Sequence, residues 1–247
     1  MIKKNLFSIN YLALLFLSLN NINAQQTITF PSKDKVIVTA DYYEHSPYSS
    51  YIVMFHQAGY SRGEYKETAE KFKKLGYNCL AVDLRSGNEV NYIINKTALD
   101  AHEKGLTTTY FNSILDIQAA IEYACNKSRK PVIVVGSSYS ASLCLLLART
   151  NPQIKAVIAF SPGEYFGKEN FIRDSISGLD MPIFAACTTD EYPFVKELLS
   201  KVNQNKLTLF KPSKGKGKHG SSALWQNNPS NNEYWLAIML FFDQIKD

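Results

Sequence analysis

Residues 131–150, PVIVVGSSYSASLCLLLART, change character twice within a short span. A β-branched apolar run over 132–135 stops at Gly136, and four residues later an apolar stretch of helical length begins. That is a strand, a tight turn and a helix. The turn reads GSSYS, close to the pattern GxSxG, in which a serine is held on a strained corner with its Oγ clear of the backbone. Gly136 and Ser140 fill the small positions around Ser138, with Ser140 standing where the pattern has glycine. The segment 138–142 also satisfies a small-x-Ser-x-small reading centred on Ser140. Ser138 is preferred because it lies nearer the strand end, where the sharp turn must occur.

The remainder of the chain supplies the partners such a unit needs. Extended segments are expected at 27–30 and 36–43, the second with period-2 alternation, joined by a turn through Pro31, Ser32, Lys33 and Asp34. A continuous apolar run at 51–55 has the form of a strand buried on both faces, 78–82 reads as the next buried strand, and further strands are expected at 154–160, 182–186 and 207–210. Helical spacing is expected over 64–75, ending at Gly76, over 110–125, through the elbow helix 141–148, over 194–201 and over 233–245. A polar insertion occupies 88–109, and an irregular connection runs from 161 to 180. Alternating strands and helices imply a mostly parallel sheet covered on both faces, with ligands bound at the carboxyl ends of its strands.

With 247 residues, 45% hydrophobic and 20% charged, the chain suits one domain with one core. Its start, with Lys3 and Lys4 before an apolar run over 11–19 and then Ile22-Asn23-Ala24, reads as a secretory signal peptide over 1–24, leaving 25–247 as the mature domain. The apolar run is shorter than the roughly 20 residues a membrane span needs. Export to the periplasm or the medium is therefore expected, with no stable membrane span after removal of the leader. The formal charge of +5 falls to 5 − 2 = +3 without the two leader lysines, too little for a nucleic-acid surface. Cys79, Cys125, Cys144 and Cys187 are far apart, without metal-ligand spacing, so buried thiols and no metal are expected.

A serine nucleophile needs a base, and the base needs a group to fix its tautomer. Of His45, His56, His102 and His219, only His219 lies late in the chain, after the elbow and after a strand-end acid. That acid is Asp190, just beyond 182–186; Glu191 or Glu164 would serve if Asp190 only caps a helix. His45 and His102 read as surface residues, and Asp83 with Arg85 as an ion pair in their loop.

The order Ser138, Asp190, His219, together with HQAG, GSSYS, TTDE and KHG at strand ends, resembles the α/β-hydrolases, nearest to their dienelactone-hydrolase-like and small carboxylesterase branch. The resemblance covers the whole mature chain. It implies about eight strands, one of them antiparallel, and a triad at the carboxyl edge in which Ser138 attacks, His219 moves the proton and Asp190 orients His219. The oxyanion donors it implies are the backbone N–H groups of Tyr139 and of Ala58, with Gln57 as the alternative. His56 then shapes its loop. Tyr60, Glu164, Tyr165 and Phe166 are candidate pocket residues, and the segment between 160 and 182 is too short for a large cap domain. Lysines 211, 214, 216 and 218 would favour anionic substrates if they overhang the pocket. The leading expectation is an exported carboxylesterase, without cofactor, acting on small or extended esters. A peptidase or acyltransferase on the same triad, and a non-catalytic binder retaining the fold, are the alternatives.

Overall fold

The computed structural model describes residues 25–245. From the N-terminal side, β1 (Gln26–Pro31) and β2 (Ile37–Tyr43) form a hairpin, followed by β3 (Tyr51–Phe55). A single 3-10 turn, Arg62–Tyr65, leads into α1 (Lys66–Lys74) and β4 (Asn78–Val82). The polar insertion is more ordered than its composition suggests, containing the small hairpin β5 (Glu89–Val90) and β6 (Ile93–Ile94) and then α2 (Lys96–Glu103). Asn95 caps α2 through its side chain, which accepts from Ala98 N at 2.8 Å. Then come α3 (Ile114–Ser128), β7 (Val132–Ser137), α4 (Tyr139–Ala148) and β8 (Ile154–Phe160). The chain closes with α5 (Phe171–Ser175), β9 (Ile183–Ala186), α6 (Tyr192–Leu198), β10 (Leu207–Phe210) and α7 (Asn231–Ile245). The short α5 lies inside the connection expected to be irregular.

Eight strands form one sheet in the order β1-β2-β4-β3-β7-β8-β9-β10. Only β2 runs against its neighbours: it is antiparallel to both β1 and β4, while every pair from β4 to β10 is parallel. This is the expected α/β-hydrolase fold, with no large cap domain. The central strands β3, β4 and β7 are buried at every residue, which is why they read as uninterrupted apolar runs rather than alternating ones. Two apolar layers result. One packs α3 and α4 on the face that includes Val53, Leu80 and Val134; the other packs α1 and α7 on the face that includes Ile52, Ala81 and Ile133.

Buried charge locks the loops at the carboxyl edge, although with different partners from those expected. Asp83 and Arg85 do not pair with each other. Asp83 accepts from Arg62 at 2.7 Å, and Arg85 is held between Asp116 at 2.7 Å and Asp34 at 2.6 Å. Both lie in the loop just beyond β4, and each finds its counter-ions on other segments: Asp83 on the 3-10 turn before α1, Arg85 on α3 and on the turn between β1 and β2. All four cysteines are buried and unbonded. No helix among the described residues is long and apolar enough to cross a membrane. The expected signal peptide, 1–24, lies outside the described residues.

Candidate active site

The turn between β7 and α4 places Ser138 at φ 59°, ψ −122°, a backbone conformation that an L-residue adopts only when its surroundings impose it. Its amide is anchored across the sheet, donating to Phe160 O at 2.8 Å, and its carbonyl accepts from Ala141 N at 3.0 Å. Gly136 is required two residues earlier, because a Cβ there would overlap the Cα and N of Ala141 as the helix folds back over the strand. Ser140 is not the serine strained at this turn. It is fully buried, donates to Phe55 O at 2.7 Å and accepts from Ser137 N at 2.9 Å, so its hydroxyl stitches β3 to the turn. A serine is accommodated in the second small position of the pattern because these partners satisfy its oxygen.

His219 sits on the loop between β10 and α7, and its neighbours tie that loop to the serine turn. Gly220 N donates to Ser161 Oγ at 3.0 Å, and Ser221 N donates to Ser137 Oγ at 2.8 Å, beside Ser138. The Nδ1 of His219 is hydrogen-bonded to Glu191 Oε1. The second oxygen of Glu191 accepts from Ser161 Oγ at 2.7 Å and Thr188 N at 3.0 Å. Burial works to raise the pKa of Glu191, but the bonds from His219, Thr188 and Ser161 outweigh it and hold the carboxyl down at about 2.

The residue on His219 is therefore Glu191 and not Asp190, which corrects the expected assignment. The carboxylate of Asp190 is 70% exposed and lies 3.3 Å from Lys216 Nζ. The cause is local: Thr188 and Glu191 exchange hydrogen bonds, Thr188 N to Glu191 Oε2 and Glu191 N to Thr188 Oγ1 at 3.1 Å, and this turn points Glu191 inward and its predecessor outward. Glu164 is also away from the histidine. Its two oxygens accept from Ile172 N at 2.8 Å and Arg173 N at 2.9 Å.

Of the three expected oxyanion donors, the N–H groups of Tyr139 and Ala58 bond no acceptor among the described residues. Tyr139 opens α4, whose dipole adds to the attraction for an anion. The amide of Gln57, by contrast, is spent on Glu64 Oε2 at 2.8 Å, so this alternative falls away. His56 does shape its loop. It is completely buried, its Nδ1 donates to Gln57 O at 2.8 Å and its Nε2 accepts from Leu84 N at 2.8 Å. Burial pushes its pKa down to about 4, so it remains a neutral strut. His45 and His102 are exposed, as expected.

Sequence reasoning missed Glu64. It looks like an ordinary first-turn acid, yet it is fully buried beneath the site and joins three loops. Besides Gln57 N, it accepts from Ser137 Oγ at 2.7 Å and Ser221 Oγ at 2.6 Å. Ser161, which bridges Glu191 and the histidine loop, was missed too. Neither carries a local signal, because a glutamate near a helix start and a serine after a strand are both commonplace.

Around this centre, Tyr165 donates to Ser161 O at 2.8 Å. Phe166 is half-buried beyond it. Tyr60 stacks on Trp225 at 6.3 Å, and Lys218 lies 4.7 Å over the same indole. Lys216 pairs with Asp190, and Lys211 lies 5.4 Å over the ring of Tyr192.

The model of the dienelactone hydrolase family matches residues 40–207, about two thirds of the sequence, and the chain belongs to that family. Among solved structures it is similar to an esterase from Pyrococcus furiosus, with a TM-score of 0.67 and 16% identity over 90% of this chain and 91% of that one. It is similar to a dienelactone hydrolase from Anabaena variabilis, with a TM-score of 0.66 and 13% identity over 90% and 97% of the two chains. An acylaminoacyl peptidase from Pyrococcus horikoshii has a TM-score of 0.59 and 15% identity over 89% of this chain and 41% of that one. At such identities the likeness establishes the α/β-hydrolase fold, while family membership supports hydrolase activity. A comparison with curated proteins matches none to this chain.

Proposed function

We propose that this protein is a serine carboxylesterase that works through an acyl-enzyme on Ser138, with His219 as base and Glu191 as its orienting acid. The observation that carries the reading is the Glu191–His219 hydrogen bond, on a loop tied through Ser137 and Ser161 to the turn that strains Ser138. With Glu191 accepting from Nδ1, the imidazole keeps its Nε2 lone pair free to take the hydroxyl proton. Ser138 Oγ attacks the ester carbonyl, and the negative charge that develops is met by the amides of Tyr139 and Ala58. Removing one such donor typically costs about 2.7–4 kcal/mol in the barrier. His219 then passes its proton to the departing alkoxide, and a water activated by the same imidazole releases the acid.

A fluorophosphonate probe tests this directly. Labelling is expected in the wild-type and Ser140→Ala proteins and not in Ser138→Ala, with 4-nitrophenyl acetate turnover following the same pattern and amide analogues turning over much more slowly. Folded protein that neither labels nor hydrolyses any ester would overturn the reading. The leader-like start supports export to the periplasm or medium. A mature protein beginning at Gln25 in the extracytoplasmic fraction is the expected result, and an intact Met1 in the cytoplasm would count against it.

A further inference from the structure

A half-open cleft of about 460 Å3 is lined by Thr109, Tyr110, Phe111, Tyr165, Phe166, Lys168 and Phe171. Among the described residues no Leu, Ile, Val or Met contributes to its wall; five of the lining side chains are aromatic. The walls come from two separate parts of the chain, the end of the polar insertion before α3 and the connection from β8 into α5.

Three of these rings form a mutual cluster. Phe111 meets Phe166 at 5.7 Å and 79°, Phe166 meets Phe171 at 6.2 Å and 81°, and Phe111 meets Phe171 at 6.1 Å and 58°. Rings at these angles present edges as well as faces, and a further ring extends such an edge-to-face array where a flexible alkyl chain gains only from area. Tyr110 stacks on Tyr139 at 4.5 Å, and Tyr139 is the residue next to the nucleophile. Tyr165 runs from the cleft wall to the serine turn, its hydroxyl donating to Ser161 O at 2.8 Å, next to Phe160, whose carbonyl accepts from Ser138 N. The cleft and the serine are thus two parts of one site. Tyr110 and Phe111 are also 42% and 43% exposed, leaving aromatic surface open to water at the mouth.

We infer that the ester this protein cleaves carries an aromatic ring, and that the ring lies in the cleft against the Phe111–Phe166 pair while the ester group reaches Ser138. The inference rests on the carboxylesterase reading and adds the substrate class. A volume of this size accepts one substituted ring with a short linker.

Its test must avoid nitrophenyl esters, whose own ring would occupy the cleft. Two pairs matched in heavy-atom count separate ring from chain on either side of the ester: methyl 3-phenylpropanoate against methyl nonanoate, and benzyl acetate against heptyl acetate, followed by pH-stat titration. The aromatic member is expected to have the higher kcat/KM, by about tenfold, in at least one pair. In Phe166→Ala and in Phe111→Ala that aromatic-to-alkyl ratio should fall toward one, with fluorophosphonate labelling showing that Ser138 remains reactive. Ratios near one in both pairs for the wild type, or an aromatic preference that survives in the Phe111→Ala/Phe166→Ala double variant, would overturn the inference while leaving the esterase reading intact. A wild-type protein inert to all four esters and to the probe would instead sink the esterase reading, and the substrate class with it.

Discussion

Exchanging Glu191 for Gln is the most searching single perturbation, because adjacent residues 190 and 191 offer two carboxylates of which only one touches the histidine. Both donors on the far side of Glu191, Ser161 Oγ at 2.7 Å and Thr188 N at 3.0 Å, need an acceptor. The glutamine will therefore turn its carbonyl toward them and its NH2 toward His219. An NH2 group facing Nδ1 requires that nitrogen to be a lone pair, which moves the ring proton to Nε2, the atom that must accept from Ser138. The base is then in the wrong tautomer, a change that costs roughly 10⁴-fold in kcat in a comparable triad. Asp190→Asn removes only an exposed contact with Lys216, whose side chain is 81% exposed, and surface pairs of this kind contribute little. Its kcat should stay within about twofold of wild type, as surface substitutions of this kind rarely perturb what lies beneath them. Steady-state hydrolysis of 4-nitrophenyl acetate, with thermal unfolding to show that both variants fold, reads the comparison. A large loss in Asp190→Asn together with near-normal turnover in Glu191→Gln would refute the assignment and the tautomer argument with it.

Four further outcomes follow from the geometry. The Glu191 carboxyl is held from 4.5 down to about 2, so its stabilising contribution is complete above pH 4.5 and lost as pH falls through about 2. The stability gap between wild type and Glu191→Gln, at most about 2 kcal/mol once solvent access is allowed for, should narrow over that window in denaturant titrations. Glu64 shifts the other way: burial raises its pKa, so its contribution is greatest below pH 4.5 and declines as pH rises through the raised folded value. Glu64→Gln should accordingly gain on wild type as pH rises above 4.5, whereas Glu64→Ala, which strands three donors, should lose about 3 kcal/mol or more throughout. Gly136→Ala should destabilise by about 1–3 kcal/mol in urea unfolding, since the new methyl meets the backbone of Ala141. Gly220→Ala combines a φ of 70° with a Cβ 2.6 Å from Ser137 Oγ, so it should displace the His219 loop and reduce kcat more than thermal stability.

Much of this fold is written in local pattern. The uninterrupted apolar runs of β3, β4 and β7 announce strands buried on both faces, and Gly136 beside Ser138 marks a corner too tight for any other residue. Those features depend on period and on the volume of one side chain, which a sequence displays directly. The loop at 187–191 is different. Asp190 and Glu191 are both acids just beyond a strand, and strand-end position alone cannot choose between them; the choice is made by the hydrogen-bond exchange between Thr188 and Glu191 and by Ser161 arriving from another strand. The same holds for Arg85, whose counter-ions Asp34 and Asp116 lie 51 and 31 residues away, and for Glu64, whose three partners come from three loops. The chain order thus determined a parallel sheet with a reactive corner at its carboxyl edge. Which acid meets the imidazole, which amides stay free and which rings wall the cleft were decided only by tertiary packing, because each depends on the direction a side chain takes relative to residues far away in sequence.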